Sequence, residues 1–139
     1  MDVVLLVGRV LFVLLFFHSA VGHLTKTAPM AQYAGAQGVP FPWLAVFGSG
    51  LLQLLGGALV LLGLWPDVGA LLLAVFLLPT AVLMHPFWKR EDADARQGDQ
   101  LHFLKDIALA GAALMLFALF AHAGDDLGLT ASGPLLDLD

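Results

Sequence analysis

His102, Lys105 and Asp106 stand at i, i+3 and i+4, so on a helix they share one face. A carboxylate beside a histidine and an ammonium group can hold a proton or pass it on near neutral pH. The same three residues also describe an ordinary helix start. An aspartate in the first turn complements the helix dipole, and a lysine there can reach the lipid headgroups along its aliphatic stem. Both readings allow Asp106 to be buried against a neighbouring helix.

Three further histidines, His18, His23 and His85, close apolar stretches, and Tyr33, Phe87, Trp88 and Phe103 lie near them in the chain. Together these could line a polar pocket with aromatic walls. The plainer alternative is a set of interfacial histidines bonded to each other, to backbone or to headgroups. No helix carries a histidine pair at i, i+4, so neither metal nor haem is expected. Arg9 lies about two turns inside an apolar stretch, where a charge must be paired, solvated or drawn out to the interface. It could anchor a quinone, a lipid phosphate or a carboxylate such as Asp67 or Asp125; snorkelling to the near interface is the simpler reading. Gln53 is the single large polar residue of its stretch. It could serve a ligand, or it could make an interhelical hydrogen bond worth about 0.6–2 kcal/mol.

These residues need helices in a membrane to hold them. Of 139 residues, 60% are hydrophobic and 12% charged, against roughly 25% charged in soluble domains. The net charge of −5 argues against nucleic acid as a partner. With no cysteine, disulfides, thiolate metal sites and thiol redox chemistry are excluded. The fold expected is all-α: an integral membrane four-helix bundle occupying residues 1–124. Its spans fall at about residues 3–24, 44–64, 68–85 and 101–122, each near the ~20 residues that cross a bilayer. The first is expected to be a retained helix rather than a signal peptide, because Met-Asp-Val-Val lacks a basic start and the apolar run is long. Ala28 to Gln37 has room for a short interfacial helix capped by Thr27, or for an irregular loop. Pro79 should kink the third span. Lys89 to Gln100 reads as a solvent loop, and residues 125–139 as an acidic, flexible tail. Gly48, Gly50, Gly56 and Gly57 suit close helix packing, inside the bundle or against a partner.

Alternating spans put Lys26, Lys89, Arg90, Arg96 and Lys105 at one end of the bundle, the basic end. Basic residues in short loops favour the cytoplasm, so both termini are expected outside. His18, His23, His85 and His102 converge at that basic end with Trp88 and Asp106. Arg9 and His122 lie towards the other end, too far along a ~1.5 Å per residue rise for Arg9 to pair with Asp106.

The chain resembles the DoxX family of small four-helix bacterial membrane proteins, from Arg9 to about Phe120. The resemblance rests on Gly8-Arg9, Ser19-Ala20-Val21-Gly22, Met30-Ala31-Gln32-Tyr33, Gly38-Val39-Pro40, Gly56-Gly57 and Leu62-Gly63-Leu64. It continues with Phe87-Trp88 and the stretch Phe103 to Gly111. Two positions depart from the family pattern: Gln53 stands where Glu is usual, and Asp106 where Asn is usual. Gln53 therefore cannot carry protons as a glutamate could. The resemblance implies the bacterial cytoplasmic (inner) membrane, with a link in some relatives to quinone-dependent thiosulfate oxidation and in others to redox-stress partners. A quinone is then the cofactor to expect, at a pocket of His18, His85, Trp88, His102 and Asp106, with Arg9 and Gln53 as further polar groups within the spans. The chain would act as a subunit in, or attached to, quinone-linked electron transfer. No autonomous catalytic centre is identifiable, so a redox role would need a partner. The rival expectation is a non-catalytic accessory subunit packed against a larger membrane complex or a second copy of itself. A small transporter ranks third.

Overall fold

The computed structural model describes residues 1–123, 126–136 and 138. Five α-helices follow one another: α1 (Asp2–Thr25), α2 (Thr27–Ala36), α3 (Pro42–Leu62), α4 (Pro66–Met84) and α5 (Ala93–Ala123). A single 3-10 turn, Phe87–Lys89, links α4 to α5. Among the described residues there is no strand. All but α2 are long and apolar enough to cross a membrane.

The helix boundaries have local causes. Pro42 and Pro66 open α3 and α4, where a missing N–H is not needed and the fixed φ suits a helix start. Each span therefore begins two residues earlier than the sequence suggests. Phe41 and Trp65, just before them, adopt left-handed backbone at φ 47° and 44°, a strained state for bulky residues. At the far end of α3, Gly63 takes φ 65°. Its N–H reaches Val60 O at 3.3 Å, and Leu64 N–H reaches Leu59 O at 3.1 Å, which is a Schellman ending.

Three expectations meet a different structure. The short helix forms as α2, but Thr27 does not cap it. Its hydroxyl donates backwards to His23 O at 2.6 Å, so Lys26 alone is the joint between α1 and α2. The expected solvent loop is mostly helix. Asp92 Oδ2 accepts from Ala95 N–H at 2.8 Å and so caps α5. The 31 residues of α5 then span about 46 Å, beyond the ~30 Å hydrocarbon core, and its first turns stand clear of the bundle.

The third difference is the tail, which is docked over its described residues rather than loose. Ala131 N–H donates to Leu62 O and Ser132 N–H to Gly63 O, both at 3.0 Å, filling carbonyls that the end of α3 leaves unpaired. Asp67 accepts from the N–H groups of Leu135 and Leu136 at 3.0 and 2.8 Å. Asp125, one expected partner of Arg9, lies outside the described residues.

In packing order α1 lies on α3, α3 on α4 and α4 on α5, while α2 crosses the basic end of α3. The core joins Val13 and Phe16 of α1, Val60 of α3, Leu73 and Leu77 of α4, and Ala110 and Ala113 of α5. Gly50, Gly56 and Gly57 of α3 serve internal packing, whereas Gly48 does not. A Cβ on Gly56 would sit 3.1 Å from Gly69 O, and one on Gly57 only 2.7 Å from the Phe17 ring. Gly56 and Gly69 thus let the α3 and α4 backbones touch.

Candidate ligand cavity at the basic end of the bundle

Above the apolar core, where α2 covers the ends of α1, α3 and α4, the helices separate around a cavity of about 820 Å³. Its walls are mostly Leu, Val, Phe and Met side chains. Polar groups enter it from every element: His23 from α1, Tyr33 from α2, Ser49 and Gln53 from α3, Thr80 and His85 from the α4 end, and Asp106 from α5. Gly48 leaves open space on the same wall.

Gln53 marks the floor. Its side chain is fully buried, yet neither Oε1 nor Nε2 has a hydrogen-bond partner among the described residues. The interhelical hydrogen bond expected of it is not formed. An unpaired amide in such a place costs about 1–3 kcal/mol.

His23 sits on the side wall. Its Nδ1 lies 2.7 Å from Ser49 Oγ and 3.2 Å from Val46 O, and Ser49 Oγ donates to Val46 O at 2.8 Å. A carbonyl oxygen only accepts and Ser49 has one proton. The arrangement is satisfied when His23 carries its proton on Nδ1, which leaves Nε2 as an acceptor. That assignment follows from the bonding pattern.

Asp106 closes the cavity towards α5. It is buried, with Lys105 Nζ 3.4 Å from Oδ1 and His85 Nε2 3.7 Å from Oδ2. His85 ends α4, and its other ring nitrogen, Nδ1, lies 3.4 Å from Asp99 Oδ1. Asp99 is ion-paired with Arg90. That hydrogen bond raises the Arg90 pKa further, so Arg90 is a fixed cation.

The remaining candidates are placed elsewhere. His18 is exposed on the outside of α1 and lines no part of the cavity. It lies five residues from His23, or about 140° around the helix; Ser19 and His23, four apart, share the inner face. His102 stacks on the outer side of His85, ring centroids 5.1 Å apart, and is itself exposed. Trp88 is also exposed and meets Phe87 and Phe103 edge-on at 5.1 and 5.8 Å. The three form an aromatic cluster outside the cavity. Of the expected pocket of His18, His85, Trp88, His102 and Asp106, the structure gathers His85 and Asp106, with His102 behind them. Of the wider set of candidates, His23 and Tyr33 also line the cavity, while Phe87 and Phe103 do not.

Arg9 is at the opposite end, buried to 1% exposure. It does not snorkel: Nη2 donates to Leu129 O at 2.6 Å, while Nε and Nη1 have no partner among the described residues. Between Arg9 and Gln53 lie Val13, Phe16 and Val60 of the apolar core. Among the described residues no group of three or more His, Asp or Glu side chains is arranged to hold a metal ion.

Comparison with known proteins gives consistent matches. The DoxX family matches residues 4–86, which takes in α1 to α4 and stops short of the Phe103 to Gly111 stretch. Inner membrane protein YphA of Escherichia coli K12 is 30% identical over 114 residues, covering 82% of this chain and 81% of its own. Inner membrane protein YqjF of the same organism is 35% identical over 115 residues, covering 83% and 82%. No solved structure matches the chain.

Proposed function

Since this chain belongs to the DoxX family, we propose that its basic-end cavity binds a quinone headgroup and that the protein works as a subunit in quinone-linked electron transfer. The observation that carries the reading is Gln53: a fully buried amide without a partner among the described residues, at the floor of a cavity of about 820 Å³. Small-molecule sites occupy about 300–1,000 Å³ and combine apolar walls with a few placed polar groups. A quinone carbonyl can accept from Gln53 Nε2, and the hydroxyl of a quinol can donate to His23 Nε2. Leu44, Val75, Pro79 and Leu83 line the cavity and are exposed on the outer surface of the bundle, which suits a ligand arriving from lipid. When bound, the quinone would supply two-electron redox chemistry. The chain has no cysteine, so electrons would reach that site from a catalytic partner subunit. YphA and YqjF are named inner membrane proteins, and we place this chain in the same membrane with both termini outside.

The accessory reading has one observation of its own. Gly8 on α1 and Gly111 on α5 face open space, and an apolar groove of about 430 Å³ separates these helices at the Arg9 end. The transport reading has less support, because the apolar core interrupts any polar path from Arg9 to Asp106.

Gentle purification from native membranes, followed by lipid extraction and mass spectrometry, tests the assignment. Stoichiometric quinone is expected with the wild type and with His102→Ala, and its loss with Gln53→Leu. A protein free of quinone but held in a larger complex would replace this reading with the accessory one.

A further inference from the structure

We infer that Asp106, His85 and Asp99 form a proton relay from the cavity to the surface at the basic end. The inference rests on the proposed cavity reading only for the source of the proton.

Asp106 lines the cavity with 7% of its side chain exposed, and His85 (22%) and Asp99 (14%), at the end where α5 leaves the bundle, are both more exposed. His85 presents one nitrogen to each carboxylate: Nε2 to Asp106 at 3.7 Å and Nδ1 to Asp99 at 3.4 Å. An imidazole is the one side chain whose ordinary pKa lets it gain and lose a proton near neutrality.

Charge balance separates a relay from a static ion cluster. Each carboxylate already has a cation of its own: Lys105 Nζ lies 3.4 Å from Asp106, and Arg90 pairs with Asp99. Arg90 also reaches Gln37 Oε1 at 3.4 Å. The other ionisable group against His85 is His102, stacked on its ring. His85 is therefore not required as a counter-ion to either carboxylate.

The transfer balances without any further reactant. A proton released in the cavity is taken by the Asp106 carboxylate and passed to His85 Nε2. The Nδ1 proton then leaves for Asp99 and from there to water. Only O–H and N–H bonds form and break, and one proton moves from Asp106 to solvent before the ring resets its tautomer. The 3.7 Å step closes by an approach of about 1 Å or through one bridging water.

A pH-jump experiment on the full-length protein in lipid nanodiscs, read by time-resolved infrared spectroscopy, tests the relay. The protonated carboxyl band removed by Asp106→Asn reports the inner end. In Asp99→Asn and His85→Gln its approach to equilibrium should slow by about tenfold or more. Added imidazole should restore the rate in His85→Ala. Unchanged rates in both variants, or an Asp106 band that does not respond to pH, would overturn the relay. Binding of a short-chain ubiquinone is measured on the same samples, and Asp99→Asn should retain it. If the wild type binds no quinone, the cavity reading falls while the kinetic result still decides the relay.

Discussion

Arg9 of α1 donates through Nη2 to the carbonyl oxygen of Leu129, 2.6 Å away and 120 residues later in the chain. The first span and the tail are joined by this bond at the end of the bundle opposite the cavity. Two of the guanidinium nitrogens have no other partner among the described residues, so the buried charge depends on that carbonyl. Hydrogen bonds to charged groups contribute about 1.5–3 kcal/mol. Truncation after Ala123 also removes the tail's bonds to Leu62 O, Gly63 O and Asp67, so it should lower unfolding stability by more than that amount, measured by denaturant titration in detergent micelles. In an Arg9→Met background the same truncation should cost clearly less. Equal losses in both backgrounds would show that Arg9 does not depend on the tail.

The α3–α4 contact gives a prediction that contrasts two glycines. A Cβ on Gly69 would stand 2.8 Å from Gly56 O and 2.7 Å from Leu59 Cβ, with backbone on one side and no flexible side chain to yield. Gly69→Ala should destabilise by about 1–3 kcal/mol. Gly111 has nothing within 4 Å of the same position, and Gly111→Ala should be neutral or stabilise by up to about 1 kcal/mol. Thermal unfolding of the two variants side by side checks the pair; a Gly69→Ala protein as stable as wild type would rule out the close backbone approach.

Most of this architecture is legible from apolar runs, because every span must satisfy its backbone as a helix. What escapes such reading is phase and distance. Pro42 and Pro66 look like loop residues and are helix starts. The Asp92 cap that begins α5 lies inside a polar run that reads as solvent loop. His18 and His23 look equivalent as residue types, and only the ~100° turn per residue puts His23 inside and His18 outside. The docking of the tail on Asp67 spans nearly 70 positions, and no local pattern announces it. Gln53 is visible in the sequence as a polar residue, but its lack of a partner appears only once the cavity around it is assembled.

The basic-end assignment predicts an orientation that single cysteines can report, since the chain has none of its own. Gly98 is exposed on the protruding turns of α5, and a Cβ there meets nothing. Gly98→Cys should be labelled by a membrane-impermeant maleimide only after the inner face is opened. Asp2→Cys, exposed at the other end, should be labelled in intact spheroplasts. The reverse pattern would turn the bundle over and place the cavity near the outer face.

Gln53 separates stability from function. Its unpaired amide is a cost to the empty bundle of about 1–3 kcal/mol, so Gln53→Leu, similar in size and without polar atoms, should unfold at higher temperature than wild type when no ligand is present. The same change removes the donor proposed for a quinone carbonyl and should weaken short-chain ubiquinone binding by about tenfold, roughly one charge-neutral hydrogen bond. Added ubiquinone should then raise the melting temperature of wild type and leave that of the variant nearly unmoved. A variant both more stable and equally responsive to ubiquinone would mean that Gln53 is merely an uncomfortable core residue. One less stable than wild type would mean that the amide is satisfied in the membrane, by water or by lipid, and that the cavity is not waiting for a ligand.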